Sequence, residues 1–133
     1  TSTEIEPIEK SVLKKVKQIK KLCDDNNAEL LFIEAPSPSS WTMKKHNGIN
    51  QLAEELGVNF IDFNLALDGF DFDYANDFRD YGNHCNFKGA TKVTNYVTRF
   101  IKENYNIEDK RVSESSKYQT WNEDVLKYEK VRW

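Results

Sequence analysis

Apolar residues recur at three- and four-residue steps through the first part of the chain, which is the spacing of an amphipathic helix. These positions are Ile5, Ile8, Val12, Leu13, Val16, Ile19 and Leu22. Pro7 suits the first turn of this helix, where its missing N–H would have no intrahelical partner. The polar run of residues 24–27 is expected to end the helix.

Further helices are predicted later in the chain. Residues 43–56 form the second, with Gly57 as its stop because glycine tolerates the left-handed conformation that ends many helices. The third runs from Phe87 to Ile101, and the side-chain oxygen of Asn86 is well placed to cap its first turn. After residue 104 the sequence is polar, and a short helix is expected around residues 121–130.

Two short apolar segments, residues 30–33 and 58–63, predict strands. The first is an unbroken apolar run, which is typical of a strand buried on both faces of a parallel sheet. The order of helices and strands predicts an α/β fold with right-handed crossovers. Because sheets usually have more than two strands, we expect residues 1–104 to be the C-terminal half of a three-layer α/β/α domain. Residues 105–133 would form a tail packed on that domain, and an N-terminal half or a second copy would complete the sheet.

Composition excludes several classes of function. The 133 residues fit one domain, and a net charge of -3 without a basic stripe argues against nucleic acid as a partner. The lysine-rich run of residues 14–21 is interpreted as the solvated face of a helix. No apolar run approaches the ~20 residues that cross a bilayer, so no membrane segment is expected. Cys23 and Cys85 do not have the spacing of a disulfide scaffold or of a metal site, and we expect no metal and no cofactor.

Candidate chemistry concentrates in residues 80–90. In an open α/β sheet, ligands bind at the carboxyl ends of the strands, where the loops 37–41 and 64–85 both begin. His84 lies in the second loop, a few residues after Asp80. Acyl transfer needs an imidazole that moves a proton and a carboxylate that fixes the tautomer of that imidazole. An aspartate and a histidine on one turn can supply both.

The block from Asp80 to Ala90 resembles the last sequence block of SGNH/GDSL-type hydrolases, in which the triad aspartate and histidine precede the final helix. The matching positions are Asp80, His84, Asn86, Gly89, Ala90 and Lys92. The resemblance extends to residues 35–41, 46–47, 58–64, 108–111 and 118–121. It implies a flavodoxin-like fold and a serine esterase or acyltransferase acting on an acylated carbohydrate or cell-envelope polymer. It also suggests a location in the cell envelope or outside the cell.

By this resemblance, Asp80 orients His84, and His84 acts as general base and then as general acid. Three residues separate the pair here, where most family members have two, so Asp77 is the alternative carboxylate. Trp41, Asn83 and Asn86 are expected to contact the substrate. The family's block with the nucleophilic serine is not recognisable, so the nucleophile and oxyanion donors are expected from other sequence. The chain alone is then expected to be inactive.

Other candidate residues favour plainer interpretations. The serines at positions 37, 39 and 40 lie in a proline-rich loop without the glycine-flanked turn that exposes a nucleophile. His46, at a helix start, is expected to be exposed or to cap that helix. Cys85 is expected to be a packed thiol.

The acidic run of residues 68–80 lacks the spacing of an EF-hand loop. We expect its aromatic residues to pack inward while its carboxylates face water. A non-catalytic α/β binding or assembly module is the alternative function. A flavodoxin- or receiver-like module is disfavoured, because the phosphate-binding or phosphoacceptor loop it needs near the N-terminus is not found.

Overall fold

The computed structural model describes residues 3–80, 82–108 and 118–130. Its helices and strands are α1 (Lys10–Asp25), β1 (Leu31–Glu34), α2 (Met43–Leu56), β2 (Asn59–Asp62), α3 (Phe87–Asn104) and α4 (Gln119–Lys130). β1 and β2 pair in parallel, with Leu31 opposite Asn59 and Glu34 opposite Asp62. The predicted α/β class and the parallel pairing are therefore confirmed.

The chain divides into two compact units, Thr1–Thr98 and Arg99–Trp133. α4 lies where the sequence predicts a short helix around residues 121–130. Residues 109–111 and 113–116, part of the predicted polar tail, lie outside the described residues, and the packing of the tail stays a prediction. No helix in the described part of the chain is long and apolar enough to cross a membrane.

α2 has the bounds that the sequence predicts, because local signals fix both of its ends. The side chain of Thr42 accepts a hydrogen bond from the Lys45 N–H, which satisfies a free donor of the first turn. Gly57 adopts the left-handed conformation at φ 62°, and its N–H bonds back to the last turn. Leu52 and Ala53 on the inner face of α2 are buried.

α1 begins at Lys10, so the prediction that Pro7 lies in its first turn is wrong. The preceding segment is instead held against the start of α2. The Glu6 N–H donates to the Lys44 carbonyl at 3.0 Å, and the Asn47 side chain donates to the Glu4 carbonyl at 2.9 Å. These tertiary bonds satisfy backbone groups that a longer helix would otherwise use, so they override the local helical spacing.

The core centres on α2 and β2. Ile61 and Phe63 are buried, and Phe63 has no exposed surface. β1 differs from the prediction of a strand buried on both faces, since Ile33 is 44% exposed. The described residues form a sheet of two strands, so β1 has no neighbouring strand among them on the side away from β2. We call this side, together with the exposed Ile33, the uncovered side of β1.

The aromatic side chains of the segment between β2 and α3 pack together as predicted, except that Tyr74 is 46% exposed. The ring of Phe63 lies 4.7 Å from Phe70 and 5.3 Å from Tyr96 between centroids. The expectation that all its carboxylates face water is wrong, because Asp77 is fully buried. Gly89 at the start of α3 allows this close approach, since a Cβ there would lie 2.3 Å from the Asp77 carbonyl oxygen.

Candidate functional site

A tight turn presents the Asp80–His84 pair just before α3. The Arg79 N–H donates to the His84 carbonyl at 3.0 Å, and an isolated antiparallel bridge joins Phe78 to Cys85. Gly82 lies within the turn at φ +96°, a conformation that side chains with a Cβ rarely adopt. These backbone bonds close the base of the turn that carries Asp80 and His84.

Asp80 and His84 bind each other directly. His84 Nδ1 lies 2.5 Å from one carboxylate oxygen of Asp80. The other oxygen accepts the N–H groups of Asn83 and His84, each at 2.9 Å. An ionised carboxylate only accepts hydrogen bonds, so the proton of a neutral His84 is assigned to Nδ1 and Nε2 keeps its lone pair. This is the tautomer that a general base needs.

These bonds also hold the charge on Asp80. The hydrogen bond from the His84 side chain, followed by those from the His84 and Asn83 N–H groups, lowers the pKa of Asp80 to about 2. The His84 side chain is 73% exposed, against 34% for Asp80. Among the described residues, none bonds to His84 Nε2. The imidazole can therefore exchange a proton with a molecule that approaches from solvent.

Asp77, the alternative carboxylate, bonds to residues other than His84. Lys92 Nζ bonds to it at 2.6 Å, and the Asp73 N–H donates to it at 2.7 Å. Burial acts to raise the pKa of Asp77, but these bonds outweigh burial and leave the pKa below its usual range. Of the two carboxylates that the sequence left open, Asp80 is the one that contacts His84.

The residues predicted to bind substrate fall in different places. Asn83 is exposed on the turn. Asn86 caps α3 by accepting the Gly89 N–H at 3.0 Å, as predicted. Its amide group donates to two backbone carbonyls, those of Asn76 and Phe78, at 2.8 and 3.2 Å. Both groups of that side chain are thus used within the chain, and substrate contact by Asn86 stays a prediction.

Trp41 is half-buried and lines a cleft of about 310 Å³. Residues from α1, α2, β1 and β2 complete the walls of this cleft, among them Val16, Leu52 and Phe60. The indole N–H donates to a carboxylate oxygen of Asp62 at 2.7 Å, which fixes the ring. A contact between Trp41 and substrate stays a prediction.

A second His–Asp pair, which the sequence did not predict, lies at the carboxyl end of β2. His46 Nδ1 is 2.7 Å from Asp62, and these side chains are 16% and 2% exposed. The expectation of an exposed or capping His46 is therefore wrong. Asp62 accepts from Trp41 and His46 on one oxygen and from the backbone and side chain of Asn64 on the other. An aspartate at the carboxyl end of a buried strand was the signal that could have indicated this cluster.

The loop between β1 and α2, residues 35–42, connects the two His–Asp pairs. Asn64 Oδ1 accepts the Ser37 N–H at 2.6 Å, which ties the loop to the Asp62 cluster. In the middle of the loop, the Ser39 hydroxyl bonds to the Gly82 carbonyl at 3.0 Å and to the side chain of Asn83. The serine-rich loop thus touches the turn that carries His84.

Within the described ranges, no group of three or more His, Cys, Asp or Glu side chains could hold a metal ion. No family model, curated protein or solved structure matches the chain.

Proposed function

We propose that this chain supplies the acid–base part of an SGNH/GDSL-like serine esterase or acyltransferase. In this proposal the chain is the C-terminal portion of a three-layer α/β/α domain with a flavodoxin-like sheet. His84 is the catalytic base and acid, and Asp80 orients it. The observation that carries the proposal is the direct bond from Asp80 to His84 Nδ1, which leaves Nε2 exposed.

The geometry supports one sequence of proton transfers. A serine hydroxyl attacks the acyl carbonyl carbon as its proton passes to His84 Nε2. Collapse of the tetrahedral intermediate breaks the ester bond, and the leaving oxygen takes that proton from Nε2. Water or an acceptor hydroxyl then repeats these steps on the acyl-enzyme. Asp80 stays ionised throughout and stabilises the imidazolium, which agrees with its lowered pKa.

The nucleophile in this proposal comes from sequence outside the chain. Within the described residues, two hydroxyls of the β1–α2 loop already have other partners. Ser37 donates to Glu34 at 2.6 Å, and Ser39 bonds to the turn backbone rather than to the imidazole. The substrate class, an acyl ester of a carbohydrate or cell-envelope polymer, rests on the sequence resemblance.

The test is ester turnover by the longest protein that contains this chain. His84→Ala should lower kcat/KM by about three orders of magnitude or more, because it removes the base and the acid together. The thermal midpoint should change little, since the side chain is exposed. Gln51→Ala, on the exposed side of α2, is the matched control and should keep full activity. A His84→Ala variant with unchanged turnover would exclude the proposal.

A non-catalytic binding or assembly module is the second candidate. The observation that favours it is the uncovered side of β1, where an apolar residue, Ile33, faces solvent. Parallel sheets are normally covered on both faces, so this surface fits a protein partner. The proposed esterase and the proposed module make different demands on the chain, because only the esterase needs the His84 imidazole.

A further inference from the structure

The turn with Asp80 and His84 rests on the β1–α2 loop. Gly82 is buried in the turn, and a Cβ at Gly82 would lie 3.1 Å from Cγ of Pro38. Next to this contact the Ser39 hydroxyl reaches the Gly82 carbonyl and the Asn83 side chain. These are the two residues immediately before His84. The loop therefore contacts the middle of the turn, 43 residues away in sequence.

We propose that Ser39 is a positioning residue for His84, acting through the Gly82–Asn83 segment of the turn. The role of this positioning in catalysis rests on the proposed function. Asn83 and His84 direct their N–H groups at one oxygen of Asp80, and the other oxygen holds the imidazole. Fixing Gly82 and Asn83 therefore fixes the carboxylate and, through it, the direction of the His84 ring.

The loop can do this because it is itself held in place. The Trp41 indole is bonded to the buried Asp62, and Asn64 is bonded both to Asp62 and to the Ser37 N–H. Ser39 thus lies between two anchored points, at residues 37 and 41. A hydroxyl on a fixed loop loses little additional freedom when it bonds to the turn, so it restricts the turn effectively.

The same contacts give Ser39 a role other than that of a nucleophile. Its hydroxyl has one proton, which the Gly82 carbonyl and the Asn83 amide oxygen can accept in turn. Both acceptors belong to the turn, whereas an activated serine would donate to the imidazole. Ser39 is also exposed, so its replacement by alanine opens no cavity in the core.

Nuclear magnetic resonance of the ¹⁵N-labelled full chain tests the inference. The chain has two histidines, His46 and His84, so its imidazole spectrum is simple and His46 is an internal reference. At a pH where the ring is neutral, His84 should carry its proton mainly on Nδ1. Ser39→Ala should lower the ratio of Nδ1–H to Nε2–H at His84 by about two- to tenfold, the factor expected for one net hydrogen bond. The His46 signals should not change.

Ser40→Ala is the matched control, since it removes a neighbouring exposed hydroxyl, and it should leave both histidines unchanged. Asn83→Ala removes one of the two acceptors of the Ser39 hydroxyl and leaves the Gly82 carbonyl, so it should act in the same direction as Ser39→Ala with a smaller effect. In the double variant the effect should equal that of Ser39→Ala alone, because Ser39→Ala already deletes both bonds. If Ser39→Ala also moves the His46 signals, the loop itself has rearranged, and the Asn83→Ala result then decides.

An unchanged tautomer ratio at His84 in both variants overturns the positioning role. The imidazole signals do not depend on turnover, so that result would not exclude the esterase proposal. The esterase proposal is tested separately by the turnover of His84→Ala. Conversely, a changed ratio supports positioning by Ser39 even where His84→Ala has no effect on turnover, and only the catalytic meaning is then lost.

Discussion

Two His–Asp pairs in this chain have the same chemical groups in opposite surroundings. Asp62 is buried and accepts four hydrogen bonds, from Trp41, His46 and Asn64. Asp80 is part of an exposed turn, and its bonds come from that turn alone. A buried, saturated carboxylate stabilises the fold, whereas an exposed pair is accessible for proton transfer.

Asp62→Ala is therefore expected to destabilise the protein. It leaves the indole N–H of Trp41 and the ring of His46 without an acceptor in a largely buried region, at a cost of about 2–4 kcal/mol. Urea unfolding should show a lower midpoint with an unchanged slope. Asp80→Ala is the control, and its effect on the midpoint should be much smaller. Equal losses for the two variants would contradict the distinction between the pairs.

The titration of Asp80 reports the bond to His84 directly. The pKa of Asp80 is about 2, below the ordinary 3.8, so folding favours its charged form. The stabilisation is thus fully present above pH 3.8 and is lost as the pH falls through about 2. In a pH titration, the ¹³C signal of the Asp80 carboxyl should therefore have its midpoint at about pH 2.

His84→Ala is the informative variant for this titration, because the His84 side chain is the largest cause of the lowered pKa. The midpoint should rise in the variant yet stay below 3.8, since the N–H groups at positions 83 and 84 still donate. A wild-type midpoint at the ordinary value would show that the pair does not form in solution.

At the scale of elements, the start of α3 holds the site against the aromatic segment. Asn86 caps the helix, and its backbone N–H donates to the Asp77 carbonyl at 2.9 Å. Asp77 in turn binds Lys92, which lies further along α3. The residues before and after the His84 turn are thus attached to the same helix end.

Gly89→Ala should destabilise this attachment, although alanine is by about 1 kcal/mol the better helix former. The new Cβ would lie 2.3 Å from the Asp77 carbonyl oxygen and 3.0 Å from the ring of Phe72, so α3 would have to shift. We expect a net loss of about 1–3 kcal/mol in denaturant unfolding. Thr94→Ala, at an exposed position of the same helix, should instead be neutral or slightly stabilising. A stabilised Gly89→Ala variant would contradict the close approach.

Elements whose signals are local could be predicted from the sequence. Thr42, Gly57 and Asn86 fix helix ends through neighbouring backbone groups, and the predicted positions of those ends agree with the structure. The start of α1 could not be predicted in this way, because Glu6 bonds to Lys44 on another helix.

The same difference of range divides the candidate site. Asp80 and His84 are four residues apart, so their contact could be predicted from the sequence pattern. Asp62 and His46 are 16 residues apart, and Ser39 and Gly82 are 43 apart. Such contacts depend on the parallel pairing of β1 and β2, which brings the ends of both strands to one edge. Sequence periodicity does not encode that meeting point.

At the scale of the whole molecule, the site lies within the first compact unit, Thr1–Thr98. Its sheet has two strands among the described residues, and apolar side chains of α1 and β1 are exposed, including Val12, Ile19 and Ile33. Burying apolar surface stabilises a protein by about 25 cal/mol per Å², and this stabilisation is absent while the surface stays in water. Covering this surface, by another part of a longer protein or by a second copy, would therefore be favourable.

Ile33→Lys tests how that surface behaves in the chain itself. We expect the wild-type chain to self-associate as its concentration rises, and the variant to stay monomeric, because burying a lysine without a partner is costly. Light scattering across a concentration series measures the difference. Gln51→Lys adds the same charge at an exposed position of α2 and should associate like the wild type. If wild type and Ile33→Lys behave alike, the uncovered side of β1 does not drive association, and the assembly module loses its main support.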